Sequence, residues 1–345
     1  MSGTVSHSAV VWLDGAQLDL ARRVARSANL DVVAAGSAQR GRASELATAF
    51  DCRAAADLRA EIAALVAAGG SRAADVLWLL APGDFASDPA SDDGRALAAA
   101  VGAGVRVVVG EPRPASLQMA GAMWPEGRPA LGPPGAPRFA PLIRHSDPFR
   151  EAAEALASFG APRTVAVQCW SRAHEATLSA SLYAALDVVL DLLGEPERVD
   201  AGVTAPTDAG LELHTLRGDL AAHLRFAGGR FATLTLSDQA AGWDRSVTVL
   251  GERGRVHLWD DGFEWRGPDG TVLDCMETPR AEGENYDLAS DVIAKALTRA
   301  ISRAPTDAPP EDPVAVLACA HACLLSARTG QSESPSTVRR IALGG

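Results

Sequence analysis

The chain has 345 residues, 47% hydrophobic and 22% charged, with 43 acidic against 32 basic side chains and a formal net charge of −11. This excludes a disordered chain, and no stripe of Lys/Arg could neutralise a row of phosphates, so nucleic acid is not expected as a partner. No apolar run approaches the roughly 18 residues of a bilayer span and residues 1–13 lack the basic start of a signal peptide, so no membrane association and a cytoplasmic location are expected.

Residues 9–13 form a first apolar run, and 18–28 have helical spacing with Leu18, Ala21, Val24 and Ala25 on one stripe. Further apolar runs follow at 30–35, 75–81 and 105–109, with helix-like segments at 42–50, 57–68 and 94–102 between them. These strands are continuous Val/Leu runs and do not alternate, as expected where helices cover both faces of a parallel sheet. The N-terminal third is therefore a doubly wound α/β domain. The segment 125–141 holds six prolines and three glycines in seventeen residues, which breaks helix and sheet alike and makes it the domain connection.

Beyond it the spacing predicts a helix at 148–158, a strand at 163–170 and a long helix at 178–193. Strands follow at 198–204, 210–217, 220–226, 230–237, 245–250, 255–259 and 262–266. Their hairpin spacing implies a mainly antiparallel open sheet. A helix at 286–302, a Pro-rich loop at 305–313 and a last apolar helix at 313–327 close the chain. The expected domains are 1–130 and 131–345. Five scattered cysteines, Cys52, Cys169, Cys275, Cys319 and Cys323, suggest no disulfide framework. Cys319 and Cys323 share a helix face, but no second Cys/His pair has ligand spacing, so no metal is expected.

Several stretches together resemble the Gfo/Idh/MocA family of glucose–fructose oxidoreductase and inositol dehydrogenase relatives. DVLWLLAPGDF (75–85) and AVGAGVRVVVGEPRPAS (100–116) resemble the family's strand ending in Thr-Pro, here Ala81-Pro82, and its strand leading into Glu-Lys-Pro. IRHSDPFREAAEALASFGAPRTVAV (143–167) is similar to the entry of its second domain, and YAALDVVLDLLGEPERV (183–199) to its helix ending in Leu-Leu-Gly. The resemblance implies a Rossmann domain followed by an α/β domain whose open sheet commonly makes oligomers. It also implies hydride transfer between NAD(P) and a hydroxyl carbon of a sugar, inositol or similar polyol.

Dinucleotide binding needs glycines after the first strand, because the backbone must turn tightly and approach the pyrophosphate at a helix N-terminus. Here Leu13-Asp14-Gly15-Ala16-Gln17-Leu18 keeps only Gly15 of that fingerprint. The resemblance puts Ser37 where an acidic residue often bonds the adenosine ribose, with Arg40 and Arg42 following; a hydroxyl beside guanidinium groups suits a 2′-phosphate, so NADP is favoured over NAD. The other cofactor positions it implies are Ala81, Pro82, Glu111 and Pro112. The family's lysine is missing from Gly110-Glu111-Pro112-Arg113, and Arg113 could supply positive charge but exchanges no proton near neutral pH.

Counting back from Gly194, the family's Asp, His and Asp fall on Ala180, Ala184 and Asp187. An alanine therefore stands where the general base should be. Asp187, Tyr183 and Glu111 are the remaining catalytic candidates. His145 and His174 are titratable groups in loops that could face a cleft, while His214, His223, His257 and His321, in strands or the last helix, read as structural. Trp170, Trp243, Trp259 and Trp265 read as core or an oligomer face. Two functions stay open: an oxidoreductase with a rearranged acid–base apparatus, and a non-catalytic member that binds a ligand or serves as a scaffold. The expected partners are a small polyol or sugar and either a second copy, through the C-terminal sheet, or an active paralogue.

Overall fold

A computed structural model describes residues 6–68, 74–124, 137–205, 210–278, 287–302 and 312–344. They fall into two compact units, Met1–Pro141 with Ala289–Glu311, and Leu142–Leu288 with Asp312–Gly345. The expected division at 130/131, residues 125–136 of the Pro-rich connection and residues 305–311 of the later Pro-rich loop lie outside the described residues.

The first unit runs β1 (His7–Trp12), α1 (Leu18–Ser27), β2 (Leu30–Gly36), α2 (Ala43–Phe50), β3 (Arg53–Ala55), α3 (Leu58–Ala67), β4 (Val76–Leu79), α4 (Asp93–Gly102), β5 (Arg106–Val109), α5 (Leu117–Met123) and β6 (Arg138–Phe139). All six strands are parallel, in the order β3-β2-β1-β4-β5-β6. The reversal of order beside β1 is the point at which doubly wound sheets open a crevice at their carboxyl ends. Ala9, Val10, Val11 and Trp12 are all buried, as the unbroken apolar run implied. On α1 the buried stripe is Leu20, Ala21, Val24 and Ala25; Leu18 is only half-buried, because a 3-10 turn at Gly15–Gln17 precedes the helix and shifts its start.

The second unit contains α6 (Asp147–Glu151), α7 (Ala153–Phe159), β7 (Pro162–Arg172), α8 (Leu178–Leu193), β8 (Arg198–Thr204), β9 (Asp219–Arg225), β10 (Phe231–Ser237), β11 (Gln239–Gly251), β12 (Gly254–Trp259), β13 (Gly262–Arg266) and β14 (Val272–Glu277). After α9 (Leu288–Ile301), which from Ala289 onward belongs to the first unit, α10 (Pro313–Thr329) and α11 (Pro335–Leu343) complete it. Its eight strands lie in the order β14-β13-β12-β11-β7-β10-β9-β8, antiparallel throughout except β7 with β10. That parallel pair, not implied by hairpin spacing, arises because α8 and two strands intervene between its members.

The strand expected at 210–217 does not form. Leu213–Thr215 make a 3-10 turn, and the Thr215 hydroxyl donates to the Gly210 and Glu212 carbonyls, a local bond that competes with sheet pairing. His214 therefore sits in a turn and not in a strand. The helix expected at 148–158 is divided at Ala152. Helix α8 is buried on nearly every side and packs on β7 and β10, while α10 packs on α8 and β8. Helices apolar all round lie inside a fold, so these two form the core of the unit and cover one sheet face.

Candidate functional site

The candidate residues gather in two clusters, one inside each unit. In the first, they line the carboxyl ends of the parallel strands. Leu13, in the place of the first glycine, is fully buried, and its N–H donates to Gly36 O at 3.0 Å. Asp14 is extended (φ −78, ψ 146) and closes the following turn as a capping box. Its Oδ1 accepts from the Ala16 N–H at 2.9 Å, and its own N–H donates to Gln17 Oε1 at 3.0 Å. The other carboxylate oxygen accepts from Gln39 Nε2 at 2.7 Å, tying the loop after β1 to the loop after β2.

Gly15 is half-buried, with two exposed side chains at ordinary contact distance. A Cβ there would lie 3.6 Å from Gln39 Oε1 and 3.8 Å from Arg42 Nε. Ser37 is buried and its hydroxyl accepts from the Gln39 N–H at 3.1 Å; Arg42 pairs with Glu45, and Arg40 is exposed. At the end of β2, a Cβ on Gly36 would meet Trp12 Cζ3 at 2.2 Å, so the indole lies directly on that glycine. As placed, these residues do not fit the pyrophosphate of a dinucleotide. The N–H groups that should receive it face the resident Asp14 carboxylate, and the buried Leu13 stands in the place of the first glycine.

Ala81 and Pro82 follow β4, next to Gly83 (φ +66). The Arg113 guanidinium, fully buried, donates to Gly83 O at 2.7 Å, to Pro112 O at 2.9 Å and to Glu111 Oε2 at 3.1 Å. Arg113 thus holds the loops after β4 and β5 together from within, and the positive charge expected of it is matched by the buried Glu111. Asp93 fixes the same region, accepting from Arg59 at 2.7 and 2.8 Å and from the Ala86 N–H at 3.0 Å. Burial acts to raise Asp93, but those bonds outweigh it and hold its carboxyl below the ordinary value.

In the second unit, Tyr183, Ala184 and Asp187 lie on α8 and are all buried. Asp187 Oδ2 accepts from Arg144 Nε at 2.6 Å, with side chains only 3% and 2% exposed, and Arg144 Nη1 lies 3.6 Å from Asp191 Oδ1. Burial pushes the Asp187 carboxyl up to about 6 against the opposing pull of Arg144, and Asp191 is likewise raised by burial. Sequence reasoning did not single out Arg144. It stands in the 3-10 turn Ile143–His145, 43 positions from its partner, a separation that no helical or strand period relates. The capping box at Asp14 was missed as well, although the Asp-x-x-Gln spacing carries its signal.

The remaining candidates are dispersed. His145 shares the turn of Arg144, His174 lies in the turn after β7, and both are half-buried. His223 stacks on Phe231 at 5.4 Å, and His257 bonds Thr248 at 2.9 Å. Trp170 is 37% exposed on β7; Trp243 donates to Asp260 under the Arg245 guanidinium, and Trp265 packs edge-on against Phe159. Cys319 and Cys323 are buried in α10, and burial raises both thiols, Cys323 to about 12. Among the described residues, no helix is long and apolar enough to cross a membrane.

Residues 144–335, more than half of the chain, match the family described as "Oxidoreductase family, C-terminal alpha/beta domain" (GFO_IDH_MocA_C). No curated protein matches the chain. Among solved structures, an NAD binding oxidoreductase from Klebsiella pneumoniae is 15% identical with a TM-score of 0.63, covering 96% of this chain and 99% of its own. An oxidoreductase from Agrobacterium radiobacter, in complex with NAD+, L-tartaric acid and magnesium, is 14% identical with a TM-score of 0.63 at the same coverage. A myo-inositol dehydrogenase from Corynebacterium glutamicum ATCC 13032 is 18% identical, with a TM-score of 0.58 over 96% of this chain and 99% of that one. At such identities the likeness concerns the fold.

Proposed function

The chain belongs to the Gfo/Idh/MocA oxidoreductase family defined by that C-terminal domain, and from this premise we propose that it keeps the family scaffold without the hydride chemistry, serving as a ligand-binding or partner protein. The observation that carries the reading is how the ionisable candidates are engaged. Asp187 is buried against Arg144, Glu111 is buried against Arg113, and Ala184 occupies the place of the base. Proton transfer needs a group that can change its protonation within reach of substrate, and each of these carboxylates holds a guanidinium inside its own unit.

The ligand classes to test come from the family and from the relatives' named ligands: NADP or NAD, and a sugar, inositol or related polyol. Absorbance at 340 nm should stay flat when the protein is given either nucleotide with a panel of polyols and sugars. Reduction at an ordinary enzymatic rate refutes the reading.

The partner in this proposal is a second copy, or an active paralogue, docked on the open face of the eight-stranded sheet. Phe231 on β10 and Leu250 on β11 both pair with Thr164 of β7 and are 37% and 41% exposed. Trp170, six residues along β7 and so on the same face, is 37% exposed. Apolar side chains on an open sheet face favour coverage by another chain.

A second reading, an oxidoreductase with rearranged acid–base groups drawn from Asp187, Tyr183 and Glu111, is favoured by one observation. The Asp187 carboxyl, raised to about 6, lies in the range of a base working near neutral pH. Under that reading a rate would appear as pH rises through about 6 and would vanish in Asp187→Asn.

A further inference from the structure

We infer that the turn after β1 carries its own anion, the Asp14 carboxylate, and that Asp14 with Gln39 closes this chain to nicotinamide dinucleotides. In a dinucleotide-binding turn, the free N–H groups at the helix N-terminus and the bare glycine receive a phosphate. Here the N–H groups of Asp14, Ala16 and Gln17 are satisfied from within. Asp14 Oδ1 takes the Ala16 N–H, Gln17 Oε1 takes the Asp14 N–H, and Gln17 N donates back to Asp14 O at 2.9 Å.

The second carboxylate oxygen is held by Gln39 across the mouth between the β1 and β2 loops. Gln39 and Arg42 stand beside Gly15 at contact distance, and the Trp12 indole covers Gly36 at the neighbouring strand end. An incoming pyrophosphate would have to displace a like-charged group at contact distance and break two hydrogen bonds that the fold already makes. Arg42, a cation beside the turn, is itself paired with Glu45. Asp14 is half-buried and Gln39 exposed, so replacing these two leaves the core of the unit untouched.

This inference deepens the non-catalytic reading but rests on different residues. A chain lacking proton carriers could still bind the nucleotide, so a binding measurement separates the two. The experiment is isothermal titration of the full chain with NADP and with NAD, supported by NADPH emission. The unmodified protein should show no saturable binding at millimolar nucleotide. Asp14→Gly with Gln39→Ala should bind at least about 100-fold more tightly, since it removes a like charge at contact distance and its brace.

If that pair fails to fold by circular dichroism, Asp14→Asn keeps the cap while removing the charge, and should gain about tenfold. Micromolar binding by the unmodified chain overturns the inference. So does a folded Asp14→Gly, Gln39→Ala variant, or a folded Asp14→Asn variant, that binds no better than the parent, because Asp14 would then not be what closes the turn.

Discussion

Replacing Arg144 by Met removes the cation from a buried pair and leaves its carboxylate in place. The two side chains are 2% and 3% exposed and meet at 2.6 Å, so little water can take over the lost contact. Breaking such a pair from one side costs about 3–5 kcal/mol, and at about 2–4 °C per kcal/mol for a unit of this size the melting temperature should fall by roughly 6–20 °C at pH 8. The loss should depend on pH in a definite direction. Burial lifts Asp187 from 3.8 to about 6, so the folded state keeps a proton that the unfolded chain has released, and stability falls as pH rises between those values. With its pKa near 6 the carboxyl is already largely protonated at pH 5, so little buried charge is left unpaired when Arg144 is removed and the loss should be smaller there. Thermal melts followed by circular dichroism at pH 5 and pH 8 measure it, and Asp187→Leu added to Arg144→Met should recover much of the loss at pH 8. A loss below about 1 kcal/mol, the range of exposed pairs, that is equal at both pH values would refute the reasoning.

Light scattering should give a mass above the 35.7 kDa of one chain, and Leu250→Arg on the exposed sheet face should return it to that of a monomer. Gly36→Val should destabilise the first unit by at least about 1–3 kcal/mol, read by thermal melting, because its new side chain meets Trp12 Cζ3 and Ala55 O. Ala184→His with Pro112→Lys, which restores the family pattern, should produce no reduction of NADP by polyols on its own. The same pair in an Asp14→Gly, Gln39→Ala background should produce a measurable rate.

The parallel sheet was legible because its strands are buried on both faces and their residues form unbroken runs. Helix α8 was legible to its ends, Leu178 and Leu193, because Thr177 caps it and Gly194 stops it. Five of the strands and helices were not, and of these α5 and β6 are only seven and two residues long. β3 is three residues long, too short to show a period. β14 is an edge strand with Val272 and Leu273 48% and 53% exposed, so its side chains do not alternate in burial. Helix α11 buries only Pro335 and so has no apolar stripe to read. At the candidate site, the vacancy at Ala184 could be counted from Gly194, and the Asp14 cap could have been read from its spacing. The partners of Asp187 and Glu111 could not be read as such, because Arg144 joins Asp187 through tertiary packing and Arg113 folds back on Glu111 only once the loop after β5 is formed.

The claim that the scaffold has parted from its chemistry is tested most directly by steady-state reduction of NADP and NAD by the unmodified chain with saturating myo-inositol, glucose and related polyols. A family enzyme working at an ordinary rate of about 10 turnovers per second would give a signal within minutes at nanomolar protein. Loss of acid–base assistance alone removes about 10²–10⁴-fold, which still leaves a rate visible at micromolar protein over hours, and exclusion of the nucleotide at Asp14 and Gln39 removes the remainder. The account predicts no rate above a heat-denatured control, even at micromolar protein over hours. Turnover near 10 per second with any of these substrates, abolished by Asp187→Asn, would contradict it and assign the chemistry to α8.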